Sequence, residues 1–147
     1  MIFSSLSRLH DLGLLLLRLG IGGMFILYGL PKMLGGPDLW TKLGGAMGNF
    51  GITLVPAFWG FMSMLAELGG GICMVLGVAF RPAMILMFIN MTVAVSTHLP
   101  AVTGWGDLAP KAGHPIEMGV IFLSLLFVGP GRWSIDACCW SKQPPAP

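Results

Sequence analysis

The fold this sequence predicts is all-α: an integral membrane four-helix bundle with a short interfacial helix between helices 1 and 2. Three observations lead there. Only 10% of the 147 residues are charged against 55% hydrophobic, where soluble domains carry about a quarter charged residues. Four stretches approach the roughly 20 mainly apolar residues that a helix needs to cross a ~30 Å hydrocarbon core. The five tryptophans (Trp40, Trp59, Trp105, Trp133, Trp140) lie at the ends of those stretches or between them, as an interfacial aromatic belt requires. Eight basic and six acidic side chains are too few to solvate a small globule, and a net charge of +2 is no footprint for a polyanion. Disorder, a soluble enzyme and nucleic-acid binding are therefore disfavoured.

The first stretch, residues 12–30, is interrupted only by Arg18. The second, 57–80, carries the lone Glu67; the third, 82–99, has Asn90 near its middle and His98 near its end. The fourth, 116–128, is short and is entered through Glu117. Backbone polar groups must be satisfied internally in lipid, so these are helices, and no ten-residue alternation suggests a barrel. Pro82 and Pro115 suit first-turn positions, where a missing N–H costs nothing. Pro31, Pro56, Pro100 and Pro130 stand near the other ends. In the connection 32–55, Asp38 is a candidate N-cap followed by Leu39, Leu43, Met47 and Phe50 on one helical face, which reads as the interfacial helix. Residues 100–114 read as a polar loop. Residues 1–137 form one transmembrane domain and 138–147 a flexible tail, with no repeat and no second domain.

Four spans put both termini and the turn at Arg81 on one side, with Arg8, Arg81, Arg132 and Lys142; the other side holds Lys32, Lys42 and Lys111. Four against three predicts cytoplasmic termini. Arg18 splits the first apolar run and no A-x-A-like site follows, so the N-terminal segment reads as an uncleaved span.

Each charge inside a bilayer costs about 2.5–3.5 kcal/mol on insertion scales. Arg18, Glu67 and Glu117 are therefore expected to pair within the bundle. At 1.5 Å per residue from the expected cytoplasmic ends, Arg18 and Asn90 lie about 12 Å deep, Glu117 about 18 Å, Glu67 about 20 Å and His98 about 24 Å. This predicts one interior polar pocket. The face of Arg18 continues through Gly22, Phe25 and Gly29, and that of Asn90 through Ala94, Thr97 and His98. Gly69, Cys73 and Gly77 form a small-residue row whose default reading is helix packing.

Plainer readings stand beside these. Arg18 paired with Glu67 or Glu117 reads either as a lock on the bundle or as part of a ligand site. Glu117 also suits the first turn of a helix, His98 an interfacial position, and Tyr28 the aromatic belt. Cys73 and the vicinal Cys138 and Cys139 contain no C-x-x-C, and His10, His98 and His114 lack ligand spacing. No haem, flavin, metal or phosphate-loop motif is evident.

The run from Arg18 to Phe25, then Tyr28-Gly29-Leu30-Pro31-Lys32, resembles the first helix of DoxX-family membrane proteins. So do Ala66-Glu67-Leu68-Gly69-Gly70 with Gly77, the Arg81-Pro82 opening of the third helix, His98, Glu117 and the closing run from Gly129 to Asp136. The resemblance extends over residues 8–136 and departs at Tyr28, where many relatives are expected to have His. It implies a bacterial inner-membrane protein of four helices, associated with quinone-linked oxidoreductases. It also implies functional roles for Arg18, Glu67, His98 and Glu117.

The expected function is thus a quinone-linked or redox-associated membrane component. Glu67, His98 and Glu117 are its candidate catalytic groups, and Arg18, Tyr28 and Asn90 its candidate ligand-binding groups. Quinone is the candidate cofactor, and the lipid bilayer and a redox partner or other subunit are the expected partners. A non-enzymatic lipid or small-molecule binder or transporter, and a structural assembly subunit, stand as the alternatives.

Overall fold

The computed structural model describes residues 9–140. Four helices in it are long and apolar enough to cross a membrane. The first is α1, His10–Leu34, whose buried residues are Leu14, Arg18, Gly22, Phe25 and Gly29. That is the face predicted from Arg18, extended by one turn towards the N-terminus. A short helix α2, Gly36–Gly44, follows and runs into a 3-10 stretch, Gly45–Phe50. The second span, Pro56–Leu76, comprises α3 (Pro56–Met64), a π turn (Leu65–Gly69) and α4 (Gly70–Leu76). The third is α5, Phe80–His98, continued by a 3-10 turn, and the fourth is α6, Trp105–Val128. A last helix, α7, is Ile135–Trp140. On the spans, Leu19, Leu27, Ile85 and Phe127 are exposed as lipid-facing residues should be.

Several local expectations are corrected. The fourth span is not short: α6 begins at Trp105 and passes through Pro110 and Pro115, so most of the expected loop 100–114 is helix. Each proline removes only one backbone donor, and the surrounding residues, Ala112 and Pro115 among them, are buried against the bundle. Likewise α1 continues through Pro31 to Leu34. Asp38 lies in the first turn of α2 and is not its N-cap, which is Gly35. The expected tail begins inside α7, so Cys138 and Cys139 are helical; Arg8, Lys142 and the remainder of the tail fall outside the described residues.

Close backbone contact explains most of the glycines. Cβ atoms on Gly22 and Gly29 would run into α4 and into the backbone of Leu68, and one on Gly71 into Gly22 and Ile26. Here α1 lies directly against the π turn and α4. Gly44 and Gly60 do the same for α2 against α3, where Cβ atoms would meet the backbone of Pro56 and Trp40. The 36–50 segment is therefore packed into the bundle as an antiparallel partner of α3. The expected row of Gly69, Cys73 and Gly77 is not this interface: Gly69 meets only its neighbour Leu65, and Gly77 sits beside Arg18 and Ser134. At the centre, Phe25, Met74, Phe80, Met84, Met87 and Phe122 form a buried apolar core.

Candidate functional site

Two polar centres form, one towards each end of the bundle. The first is built on the π turn. A π turn inserts a residue into the α-helical ladder, and such bulges are frequent at functional positions. It carries Glu67, which is 7% exposed. The carboxylate Oε1 pairs with Lys32 Nζ at 2.6 Å and accepts a hydrogen bond from Asn90 Nδ2 at 3.0 Å. Lys32 also donates to Ser63 Oγ at 3.3 Å. The second oxygen, Glu67 Oε2, is buried and has no hydrogen-bond partner among the described residues. At 1.5 Å per residue, Glu67 stands roughly 16 Å from the start of its span.

A cavity of about 590 Å³ lies beside this group, between the 36–50 segment, the second span and α5. Its polar lining is Lys32, Ser63, Glu67, Asn90, Thr97 and His98; Met47, Phe58, Trp59, Met62, Leu86 and Ile89 supply apolar surface. The predicted stripe Asn90, Ala94, Thr97 and His98 lines it in full. The 3-10 stretch is tied to α5 where Asn49 Nδ2 donates to the Ser96 carbonyl at 3.2 Å, and α2 to α1 where Trp40 Nε1 donates to the Lys32 carbonyl at 2.8 Å.

The second centre lies at the opposite end. Arg18, 1% exposed, donates from Nε to the Met74 carbonyl at 2.9 Å and from Nη2 to the Val75 carbonyl at 2.8 Å. Its Nη1 reaches the Pro130 and Trp133 carbonyls at 2.9 and 2.8 Å. The guanidinium thus caps the C-terminus of α4, where a cation meets the negative end of the helix dipole, and holds the α6–α7 connection. Asp136 caps α5 from outside by accepting from the Ala79 and Phe80 amides at 3.0 and 2.9 Å. Asp11 accepts from the Arg132 amide at 2.9 Å.

The single pocket expected from depth is therefore corrected. Arg18 pairs with neither Glu67 nor Glu117; its partners are backbone carbonyls, because α4 ends beside it and leaves them without intrahelical donors. Glu117 is exposed on the outer side of α6. Its helix starts eleven residues earlier than expected, so Glu117 stands in the middle of a long span and not in a first turn. Asn90 meets Glu67, and His98 lines the same cavity while remaining exposed. Tyr28 is 44% exposed and packs edge-on against Phe25 and His114, with ring centres 5.8 and 5.9 Å apart.

Lys32 is the site residue that sequence reasoning missed. Its signal was present, since the series Arg18, Gly22, Phe25, Gly29 continues to Lys32 at the next three-residue step. Reading Pro31 as the end of the helix hid it.

These features define a multi-pass membrane protein of helical-bundle architecture, with an ion pair buried beside a cavity among its spans. A family model described as DoxX matches residues 13–99, more than half of the chain, and the chain belongs to the DoxX family. The match includes Arg18, Lys32, Glu67, Asn90 and His98; Glu117 and the closing run from Gly129 lie beyond it. Neither the curated proteins nor the solved structures compared with the chain gave a match.

Proposed function

We propose that this protein is a quinone-binding component of a membrane redox system, and that the cavity beside Glu67 receives the quinone head group. The observation that carries this reading is the Glu67 carboxylate: one oxygen is held by Lys32 and Asn90, and the other is buried with no partner beside an apolar space. A quinone offers carbonyl acceptors to N–H donors such as those of Lys32 and Asn90, and its quinol offers an O–H to Glu67 Oε2. The apolar walls suit the remainder of such a molecule. Reducing a quinone to its quinol takes two electrons and two protons. In this reading a redox partner protein supplies the electrons, and Glu67 and His98 carry the protons. A short-chain ubiquinone or menaquinone analogue, titrated into the protein in lipid nanodiscs, is expected to quench Trp59 saturably. Glu67→Gln is expected to weaken binding at least tenfold. An absence of saturable quenching overturns the reading, and a co-purifying lipid that occupies the cavity without redox turnover replaces it with a lipid-binding one.

Glu117 favours membership of a larger assembly. It is exposed in the middle of α6 and has no partner among the described residues, a position that is costly for a carboxyl group facing lipid. In this reading it meets a basic or hydrogen-bond-donating side chain on a transmembrane helix of the redox partner. Site-specific photo-crosslinking from position 117 in native membranes is expected to trap such a partner, and recovery of uncrosslinked monomer alone counts against it.

A further inference from the structure

The Lys32–Glu67 pair has a second side. Besides the cavity already described, both residues line a smaller hollow of about 360 Å³, together with Phe25, Tyr28, Met91, Ala94 and His114. Only Lys32, Glu67 and Ala94 are common to the two linings, so the ion pair stands between the spaces. Phe25, Tyr28 and His114 also line a groove of about 500 Å³ between α1 and α6, and Tyr28 and His114 are both exposed. The smaller hollow therefore leads from a buried carboxylate to a histidine on the outer face of the bundle, one turn from the Lys111–Asp107 ion pair.

We propose that this hollow is a proton-exchange site serving Glu67, with His114 as the group that passes protons between the exterior and the carboxylate. This deepens the reading of Glu67 as a proton-bearing group and rests on it. The chemistry is a transfer through water in the hollow: the His114 imidazolium gives up one proton, Glu67 takes it and becomes neutral, and His114 is recharged from outside. Three observations support the assignment. Glu67 Oε2 is a buried acceptor without a partner among the described residues. Histidine is the side chain whose ordinary titration lies nearest neutrality. At 1.5 Å per residue, His114 stands roughly 14 Å from the start of α6 and Glu67 roughly 16 Å from the start of its span at the same end, so the two share a level. His114 is also one turn from Lys111, whose ion pair with Asp107 at 3.0 Å marks the polar end of α6.

The titratable groups facing the hollow are Tyr28 and Lys32 from α1, Glu67 from the π turn and His114 from α6, while α5 contributes only Met91 and Ala94. Asn90 bonds Glu67 from the neighbouring side, and His98 lies in the larger cavity. Lys32 stays within contact of Glu67, and of the two exposed groups, Tyr28 and His114, only the histidine is of the side-chain type that serves as a proton shuttle.

The test needs no quinone, so its failure is separable from failure of quinone binding. The full chain in lipid nanodiscs is subjected to a pH jump while the carboxylic C=O band is followed by time-resolved infrared spectroscopy, with Glu67→Gln assigning the band. His114→Gln is expected to slow protonation of Glu67 at least tenfold without changing its end point or the melting temperature, and added imidazole to restore the rate. An unchanged rate in His114→Gln overturns the proposal, as does the absence of a protonated Glu67 at every pH at which the protein stays folded.

Discussion

Glu67 and Lys32 are charges from different helices that each need the other. A buried pair adds little net stability compared with apolar residues of similar size, but removing one member leaves an uncompensated charge. Lys32→Met and Glu67→Leu are each expected to lower the unfolding free energy by on the order of 3 kcal/mol, and the double substitution to recover most of that loss while abolishing the proposed quinone binding. Chemical denaturation in mixed micelles measures the first and the nanodisc titration the second. Arg18 is a different case, because its partners are four carbonyls and not an anion. Lysine is a point charge that cannot reproduce the planar fork. Arg18→Lys is expected to cost at least ~2 kcal/mol through unsatisfied carbonyls and to leave ligand affinity in the surviving folded fraction unchanged, because the clasp lies at the other end from the cavity.

Among the elements, contact between backbones decides which glycines matter. Gly23 has open space around a Cβ, whereas Gly29 has the backbone of Leu68. Gly23→Ala is expected to be neutral or to stabilise α1 by up to ~1 kcal/mol. Gly29→Ala is expected to cost about 1–3 kcal/mol by forcing α1 off the π turn, and a shift in thermal unfolding reads the difference. Sequence shows both as glycines in one apolar run; the face drawn from Arg18 separates them, because Gly29 is on it and Gly23 is not. The chain from 129 into the first turn of α7 illustrates what periodicity misses. Residues 129–134 have no helical repeat, yet Asp136 at the start of α7 caps α5, and Asp136→Ala is expected to cost about 1 kcal/mol and fray the first turn of α5.

For the whole molecule, the Asp11–Arg132 and Asp136–Phe80 contacts gather the start of α1, the turn before α5 and α7 at one end, as an even number of spans requires. The 36–50 segment and the α5–α6 connection occupy the other. On a cysteine-free background, Asp38→Cys and Arg132→Cys are expected to react with a membrane-impermeant maleimide from opposite sides. By the count of basic residues, position 132 is expected to label from the cytoplasmic side. Labelling of both from one side overturns the four-span topology.

Composition and hydropathy by themselves determined the membrane class, the four spans and the buried face of α1, because a bilayer filters for apolar length and a helix repeats its faces every 3.6 residues. The sequence also marked Glu67 and Asn90 as residues to watch. Only the tertiary structure decided which polar groups meet. Pairing depends on the rotation of each helix, on the π turn and on where the helices end, and these are set by contacts between segments far apart in the chain. That is why Glu67 found Lys32, Arg18 found the carbonyls at the end of α4, and Glu117 turned outward. The low charge of the chain identified the membrane; packing assigned each remaining charge its place.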